Sequence, residues 1–477
     1  MPSPLANSRA AALLLTGLLA ACTVGPDYER PELELPTSWR SELTDGLQHG
    51  EVTDDAWWRS FDDPLLGDLV EAALQQNLDL RINLARLAAS RAQRGVAAAD
   101  QWPTVDANGS YTYRRESRNT PFGAFIPRTD IHAVSFDAAW ELDLWGRVRR
   151  SVEAAERALE ASGHDLQAAA LSVAAEVART YVDLRAAQRR LAIARANLGL
   201  QEQTLGLVQA RLTAGLVVER DVAQARTNVE TTRSRLPQLE TAANAAQNRL
   251  AVLLGMTPDR LPTELTGERD EVRMPRLPES IAVGAPADLL RRRPDVRRAE
   301  RAFAAEVARI GVAEADRYPT FALSGQIGLA ANTASSLVED GSDLSGFGPS
   351  LRWNLFDGGR LKHRVQALEA NAEAAQVAYE QTVLLAIEET ENAMTAFVLE
   401  RERRKSLAAA AAQARRAVEL AQTQYREGLS DFQAVLDSER SAAQIEDDLA
   451  SSDAAVATNL IALFKALGGG MPESLAD

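Results

Sequence analysis

The sequence predicts a mainly α-helical chain that also supplies four strands to a transmembrane β-barrel, and three observations predict it. Four short segments alternate apolar and polar residues, and two stretches of about 65 residues run without proline and with little glycine. At 1.5 Å per residue such a stretch makes a helix of roughly 100 Å, several times an ordinary globular helix. The third observation is that the arrangement occurs twice along the chain, as an internal duplication.

The duplication is read directly from the residues. Gly95-Val96-Ala97-Ala98-Ala99-Asp100-Gln101-Trp102-Pro103-Thr104 recurs as Gly311-Val312-Ala313-Glu314-Ala315-Asp316-Arg317-Tyr318-Pro319-Thr320. Leu144-Trp145-Gly146-Arg147 is echoed by Leu355-Phe356 and Gly359-Arg360, and Leu212-Thr213-Ala214-Gly215-Leu216 by Tyr425-Arg426-Glu427-Gly428-Leu429. Leu253-Leu254-Gly255 matches Ala466-Leu467-Gly468. Each half reads helix, strand, strand, long helix, turn, helix. The domain organisation is therefore a leader (1–21), an anchor and extended strap (22–60), a first repeat (61–255), a non-helical link (256–285), a second repeat (286–468) and a tail (469–477).

In the first half Val105, Ala107, Gly109, Tyr111 and Tyr113 alternate with Asp106, Asn108, Ser110 and Thr112. Val134, Phe136, Ala138, Trp140, Leu142 and Leu144 alternate with Ser135, Asp137, Glu141 and Asp143. In the second half Phe321, Leu323, Ile327 and Leu329 oppose Ser324 and Gln326, while Leu351, Trp353 and Leu355 oppose Ser350, Arg352 and Asn354. Period two places one face in an apolar phase and the other in water. A half-buried soluble sheet gives the same alternation, but Tyr and Trp near the strand ends fit an interfacial aromatic girdle. Four strands cannot close a barrel, and a membrane sheet tolerates no open edge, so closure requires other copies. Two chains give eight strands and three give twelve, both permitted counts.

The long helices run from Arg147 to about 211 and from Arg360 to about 426, with shorter partners at about 66–100 and 219–254. Pro237 is expected to kink or interrupt its helix by removing a hydrogen bond. Val222, Val229 and Leu236, seven apart, form a coiled-coil-like seam. Gly215 and Gly428 sit at equivalent turns between long and short helices, where glycine permits the left-handed conformation.

Composition narrows the function. The net charge of −15 excludes a basic nucleic-acid footprint. A single cysteine and four scattered histidines (His49, His132, His164, His363) exclude a disulfide framework and argue against a metal site. The chain carries no phosphate-binding loop, dinucleotide fingerprint, metal-binding histidine pair or nucleophile elbow, so neither an enzyme nor a cofactor is expected. At the N-terminus, Arg9 precedes the apolar run 10–21, too short to span a bilayer but suited to a secretory leader. It ends in Leu19-Ala20-Ala21-Cys22, which resembles a bacterial lipobox and marks Cys22 for lipidation. Thr23 in place of aspartate implies sorting to the outer membrane.

Cys22-Thr23-Val24-Gly25-Pro26-Asp27-Tyr28, Trp57-Trp58 with Phe61 and Asp63-Pro64, Asp288-Leu289-Leu290-Arg291-Arg292-Arg293-Pro294-Asp295-Val296 and Phe356-Asp357-Gly358-Gly359-Arg360 follow in order along the chain. Together they resemble the TolC-like outer-membrane efflux family, in the lipoprotein branch serving resistance-nodulation-division pumps. The resemblance covers nearly the whole chain. It implies a homotrimer with a twelve-stranded barrel in the outer-membrane lipid, continued by a long helical barrel in the periplasm. It also implies two protein partners, a periplasmic adaptor and an inner-membrane proton-driven transporter. The function implied is a passive exit duct for small toxic compounds.

The hairpin tips, Ala214, Gly215, Leu216, Glu427, Gly428, Leu429 and Ser430, are then the surface that meets the adaptor. Asp437 takes the place of an aspartate ring at the closed aperture, one helical turn from Gln433, which departs from the family's bulky apolar ring. The alternative for Asp437 is a solvated residue pairing with Arg440. Arg220, Asp221 and Asp431 are candidate ties of the closed state. Two other readings compete: a periplasmic coiled-coil structural lipoprotein without a pore, and the same duct serving a different inner-membrane pump. The first does not account for the four strands.

Overall fold

The structure, a computed structural model, describes residues 23–50, 56–125, 128–266 and 272–469. The leader 1–21, Cys22 and residues 470–477 of the tail lie outside the described residues. In chain order the principal elements are β1 (Leu47–His49), α1 (Pro64–Gln76), α2 (Leu78–Ala99), β2 (Thr104–Arg115), β3 (Arg128–Leu142), α3 (Arg147–Thr213) and α4 (Glu219–Leu253). They continue with β4 (Ile281–Val283), α5 (Pro294–Ala315), β5 (Thr320–Ala331), β6 (Asp343–Arg352), α6 (Arg360–Arg426) and α7 (Phe432–Ala466). Corresponding helices of the two halves have equal lengths: 22 residues for α2 and α5, 67 for α3 and α6, and 35 for α4 and α7.

The strands yield to helices at the same chemistry in both halves. Asp143 accepts from the backbone N–H groups of Val148 and Arg149 at 3.1 and 2.9 Å. Asp357 accepts from Gly359 and Leu361 at 2.9 Å each. A carboxylate satisfying the orphan donors of a first helical turn fixes the start of the long helix. These turns explain why Leu144, Trp353 and Leu355, expected in strands, lie beyond them.

Compact packing divides the chain into two units, each drawn from both halves: residues up to 32, 86–162 and 298–379 form one, and 33–85, 163–297 and 380–477 the other. The units thus cut across the repeats, because helices of one half pack on those of the other. The first unit holds the four-stranded antiparallel sheet β2-β3-β5-β6 and a core of Phe303, Val307, Ile310, Val365 and Ala372. Its N-terminal strap is clamped: Tyr28 Oη donates to Glu300 Oε1 at 3.0 Å, the Arg30 guanidinium grips the same carboxylate, and Tyr28 stands edge-on to Phe303. Gly25 (φ +90) passes so close to Gly311 that an added Cβ would lie 2.4 Å from its Cα.

The second unit holds the two helical hairpins and a buried aromatic group in which Trp57 stacks on Phe464 at 5.4 Å between ring centroids. Arg293, in the Asp288–Val296 stretch that supports the resemblance, is buried and donates to Ala466 O at the end of α7 at 3.1 Å. Its charge is met by Asp295 and Glu389, both at 2.7 Å. Arg293 of that motif therefore closes a helix end.

Three expectations are corrected. The helix expected over 66–100 is two helices, because Asn77 is extended (φ −60, ψ 133) and its Oδ1 caps α2 through Asp79 and Leu80 N–H, while its Nδ2 donates to Leu253 O at 2.8 Å. Pro237 does not end α4, which runs through it. Both Pro237 and Arg233, whose carbonyl loses the helical donor, are exposed. The strap and the link are not wholly irregular: β1 and β4 pair in parallel, Leu47 opposite Ile281 and His49 opposite Val283, and the link carries helical turns at Pro258–Arg260 and Thr263–Thr266. Three-residue strands are too short to show alternation.

Candidate functional site

Two places gather the functional residues: the four-stranded sheet and the two hairpin tips. In the sheet, register decides which side chains share a face. Val105, Ala138, Gly325 and Phe347 form one row, Ala107, Phe136, Ile327 and Ser345 the next, and Trp140, Leu323 and Pro349 another. On the opposite face Asp106, Asp137 and Gln326 are aligned, beside Asn108 and Ser135. Asn108 Nδ2 donates to Asp137 Oδ2 at 2.5 Å, and Gln326 Nε2 reaches Ser135 Oγ at 3.3 Å, so the polar face is internally hydrogen-bonded. The apolar face has no cover: Phe347 is 93% exposed, Ile327 63% and Phe136 55%. A soluble sheet of this size buries one face.

At its lower margin the apolar face carries indoles hydrogen-bonded to the preceding turns. Trp140 Nε1 donates to Gln101 O at 3.0 Å, and Trp353 Nε1 to Arg317 O at 3.2 Å, equivalent positions in the two halves. Among the described residues, both outer strands, β2 and β6, keep one unpaired edge. Among the described residues, no helix is long and apolar enough to cross a membrane.

The tips are built alike. Gly215 (φ +72) and Gly428 (φ +77) occupy the left-handed region, and the following N–H groups close back, Leu216 to Arg211 O at 2.9 Å and Leu429 to Gln424 O at 2.8 Å. This is the bond pattern that ends a helix with glycine. Nothing lies within 4 Å of a Cβ added at either glycine, so only the backbone turn demands them. Leu216 and Leu429 project, 71% and 74% exposed, and Ala214 and Glu427 are exposed too. Ser430 is half-buried and its Oγ has no hydrogen-bond partner. Behind the tips Val208, Val222, Ala225, Tyr425, Phe432, Val435 and Leu436 pack the hairpins together, and the Arg211 guanidinium lies 4.3 Å over the Tyr425 ring.

Gln433 and Asp437 are both exposed on one face of α7, and Gln433 Nε2 donates to Asp437 Oδ1 at 2.9 Å. Arg440, the alternative partner of Asp437, turns instead to Asn228 on α4 at 3.3 Å. The three expected ties are satisfied locally in the single chain. Arg220 pairs with adjacent Asp221 at 3.3 Å, and Asp431 caps α7 through Ala434 N–H at 3.1 Å.

The groups that bind helix to helix are others. Arg190 meets Asp447 at 2.7 Å, Asp453 is held by Arg189 and Arg404, and Glu439 is buried between Thr204 Oγ1 (2.7 Å) and Gln422 Nε2 (3.1 Å). Burial raises the Glu439 carboxyl above its usual range, and the two donors only partly offset this. Sequence reasoning missed them all, since their roles depend on which helix faces meet. The one available signal was a carboxylate in phase with apolar Val435, Leu436 and Ala442.

A family model described as outer membrane efflux protein matches residues 69–256 and 285–469. The chain belongs to the outer membrane efflux protein family. Among its relatives, it is 32% identical to nodulation protein T of Rhizobium leguminosarum bv. trifolii, over 95% of each chain. It is also 32% identical to outer membrane protein OprJ of Pseudomonas aeruginosa, over 97% of this chain and 96% of that one. Among solved structures, the outer-membrane channel OprN superposes with a TM-score of 0.87 at 36% identity, covering 94% of this chain and 99% of that one. As a member of the family this efflux protein is an outer-membrane exit channel.

Proposed function

We propose that three copies close a twelve-stranded barrel through the outer membrane, continued into the periplasm by the helical hairpins. Through this duct small toxic compounds leave the cell passively. The observation that carries the reading is the sheet: an uncovered apolar face, a hydrogen-bonded polar face and two unpaired edges. Unpaired backbone groups cannot stand in lipid, so β2 of one copy meets β6 of the next. A coiled-coil lipoprotein without a pore has no use for such a sheet.

The exposed tips, Ala214, Gly215, Leu216, Glu427, Gly428, Leu429 and Ser430, meet a periplasmic adaptor, which couples the duct to an inner-membrane transporter of the resistance-nodulation-division class. Asp437 with Gln433 lines the periplasmic aperture. Three carboxylates brought together there repel and favour cations. Arg220, Asp221 and Asp431 exchange their local partners for ties between hairpins or copies when the aperture closes. Cys22 carries the lipid. No cofactor takes part, and the duct uses no energy of its own.

The test is electron microscopy of the mature protein in detergent. A threefold hollow cylinder is expected, and a solid or monomeric rod overturns the duct. For the anchor, palmitate labelling is expected in the parent protein and lost in Cys22→Ser; labelling that persists in the variant refutes lipidation at this residue.

A further inference from the structure

Along the apolar face of the sheet the residue types change in a fixed order away from the helices. Ala107, Phe136 and Ile327 are followed by Gly109, Val134 and Leu329, then by Tyr111 opposite His132 and Tyr113 opposite Asp130. The Tyr111 and His132 rings lie 4.8 Å apart. The last row is Arg115 directly opposite Arg128. Two like charges in cross-strand register repel, and exposed strands usually avoid the arrangement.

Among the described residues neither arginine has a carboxylate within salt-bridge distance. Asp130, the nearest acid on that face by register, accepts from Tyr111 Oη at 2.9 Å. Arg114 points to the other face and is taken by Glu116 at 2.5 Å. Two guanidinium forks remain just beyond a row of tyrosines.

We propose that Arg115 and Arg128 form a binding site for the phosphate of an anionic lipid in the outer leaflet. The inference rests on the reading of the sheet as a membrane-spanning barrel wall. In that wall the apolar rows occupy the acyl region, the tyrosines the interface and the arginines the headgroup level. A phosphate between them turns a repulsive pair into two charge-assisted forks, a geometry arginine supplies and lysine does not.

The full-length protein in detergent is titrated with diphosphoryl lipid A and with the same lipid stripped of phosphate, bound lipid being read by native mass spectrometry. Diphosphoryl lipid A is expected to bind about tenfold or more tighter. Arg115→Gln with Arg128→Gln abolishes that difference, and the corresponding lysine pair restores part of it. Channel conductance in planar bilayers is measured alongside. Normal conductance with no preference for the phosphorylated lipid, or the same preference in the glutamine variant, overturns the site and leaves the barrel standing. A parent protein without conductance removes both. A glutamine variant that keeps lipid binding but falls apart into single chains assigns the arginines to the seam with a second copy, against Glu339, Asp340 or Asp343. Displacement of lipid A by equimolar inorganic phosphate makes the site one for free anion and also overturns it.

Discussion

Among the described residues, four helix ends use glycine in the left-handed conformation, but not for the same reason. At Gly215 and Gly428 there is open space, so alanine meets only the backbone penalty of roughly 1–2 kcal/mol. At Gly255 (φ +68) an added Cβ would stand 2.5 Å from Gln76 O, and at Gly468 3.0 Å from the Arg292 carbonyl carbon. Gly255→Ala should therefore destabilise the protein by roughly 1–3 kcal/mol more than Gly215→Ala, and thermal unfolding in detergent checks the order. Equal losses would show that the link region yields. A second prediction at this scale concerns Asp437, exposed and bonded to Gln433. Asp437→Ala should raise basal conductance in planar bilayers; an unchanged current removes it from the aperture.

Between helices the informative group is Glu439, a carboxyl of α7 enclosed by α3 and α6. Charged side chains on the packed elements have other partners: Glu202 with Arg233, Arg415 with Glu446, Arg440 with Asn228, and Arg211 over Tyr425. Because burial raises its pKa, the packed state holds the proton more firmly than an opened one. Its contribution is complete below the ordinary glutamate pKa of about 4.3 and declines as pH rises toward the raised value. Unfolding midpoints should fall over that window in the parent protein and fall less in Glu439→Gln; parallel profiles would exclude this residue as the source. This group also marks the limit of what the chain announces. The strands and 67-residue helices were legible because alternation and the absence of proline are local properties. The break at Asn77, the pairing of Leu47–His49 with Ile281–Val283 and the burial of Glu439 were not, because each depends on residues far away in the chain.

At the scale of the molecule the duplication explains how one chain prepares two equivalent tips and two strand pairs, yet among the described residues leaves the outer edges of β2 and β6 unpaired. The proposed closure predicts a covalent ladder. With one cysteine on β2, one on β6 and Cys22 replaced, oxidation should give bands that stop at three chains. Stopping at two would mean an eight-stranded wall, and no ladder would leave the edges unjoined. The strap adds a constraint of its own. Thr23 lies against Gly146, where an added Cβ would stand 2.7 Å from its methyl group, and Val24 N–H is bonded to Trp145 O at 3.1 Å. If Cys22 carries the proposed lipid, the attachment point precedes by one residue a segment that is held at the junction of β3 and α3. On that proposal, so short a leash would make the acyl chains a depth stop that sets how far this junction stands from the bilayer.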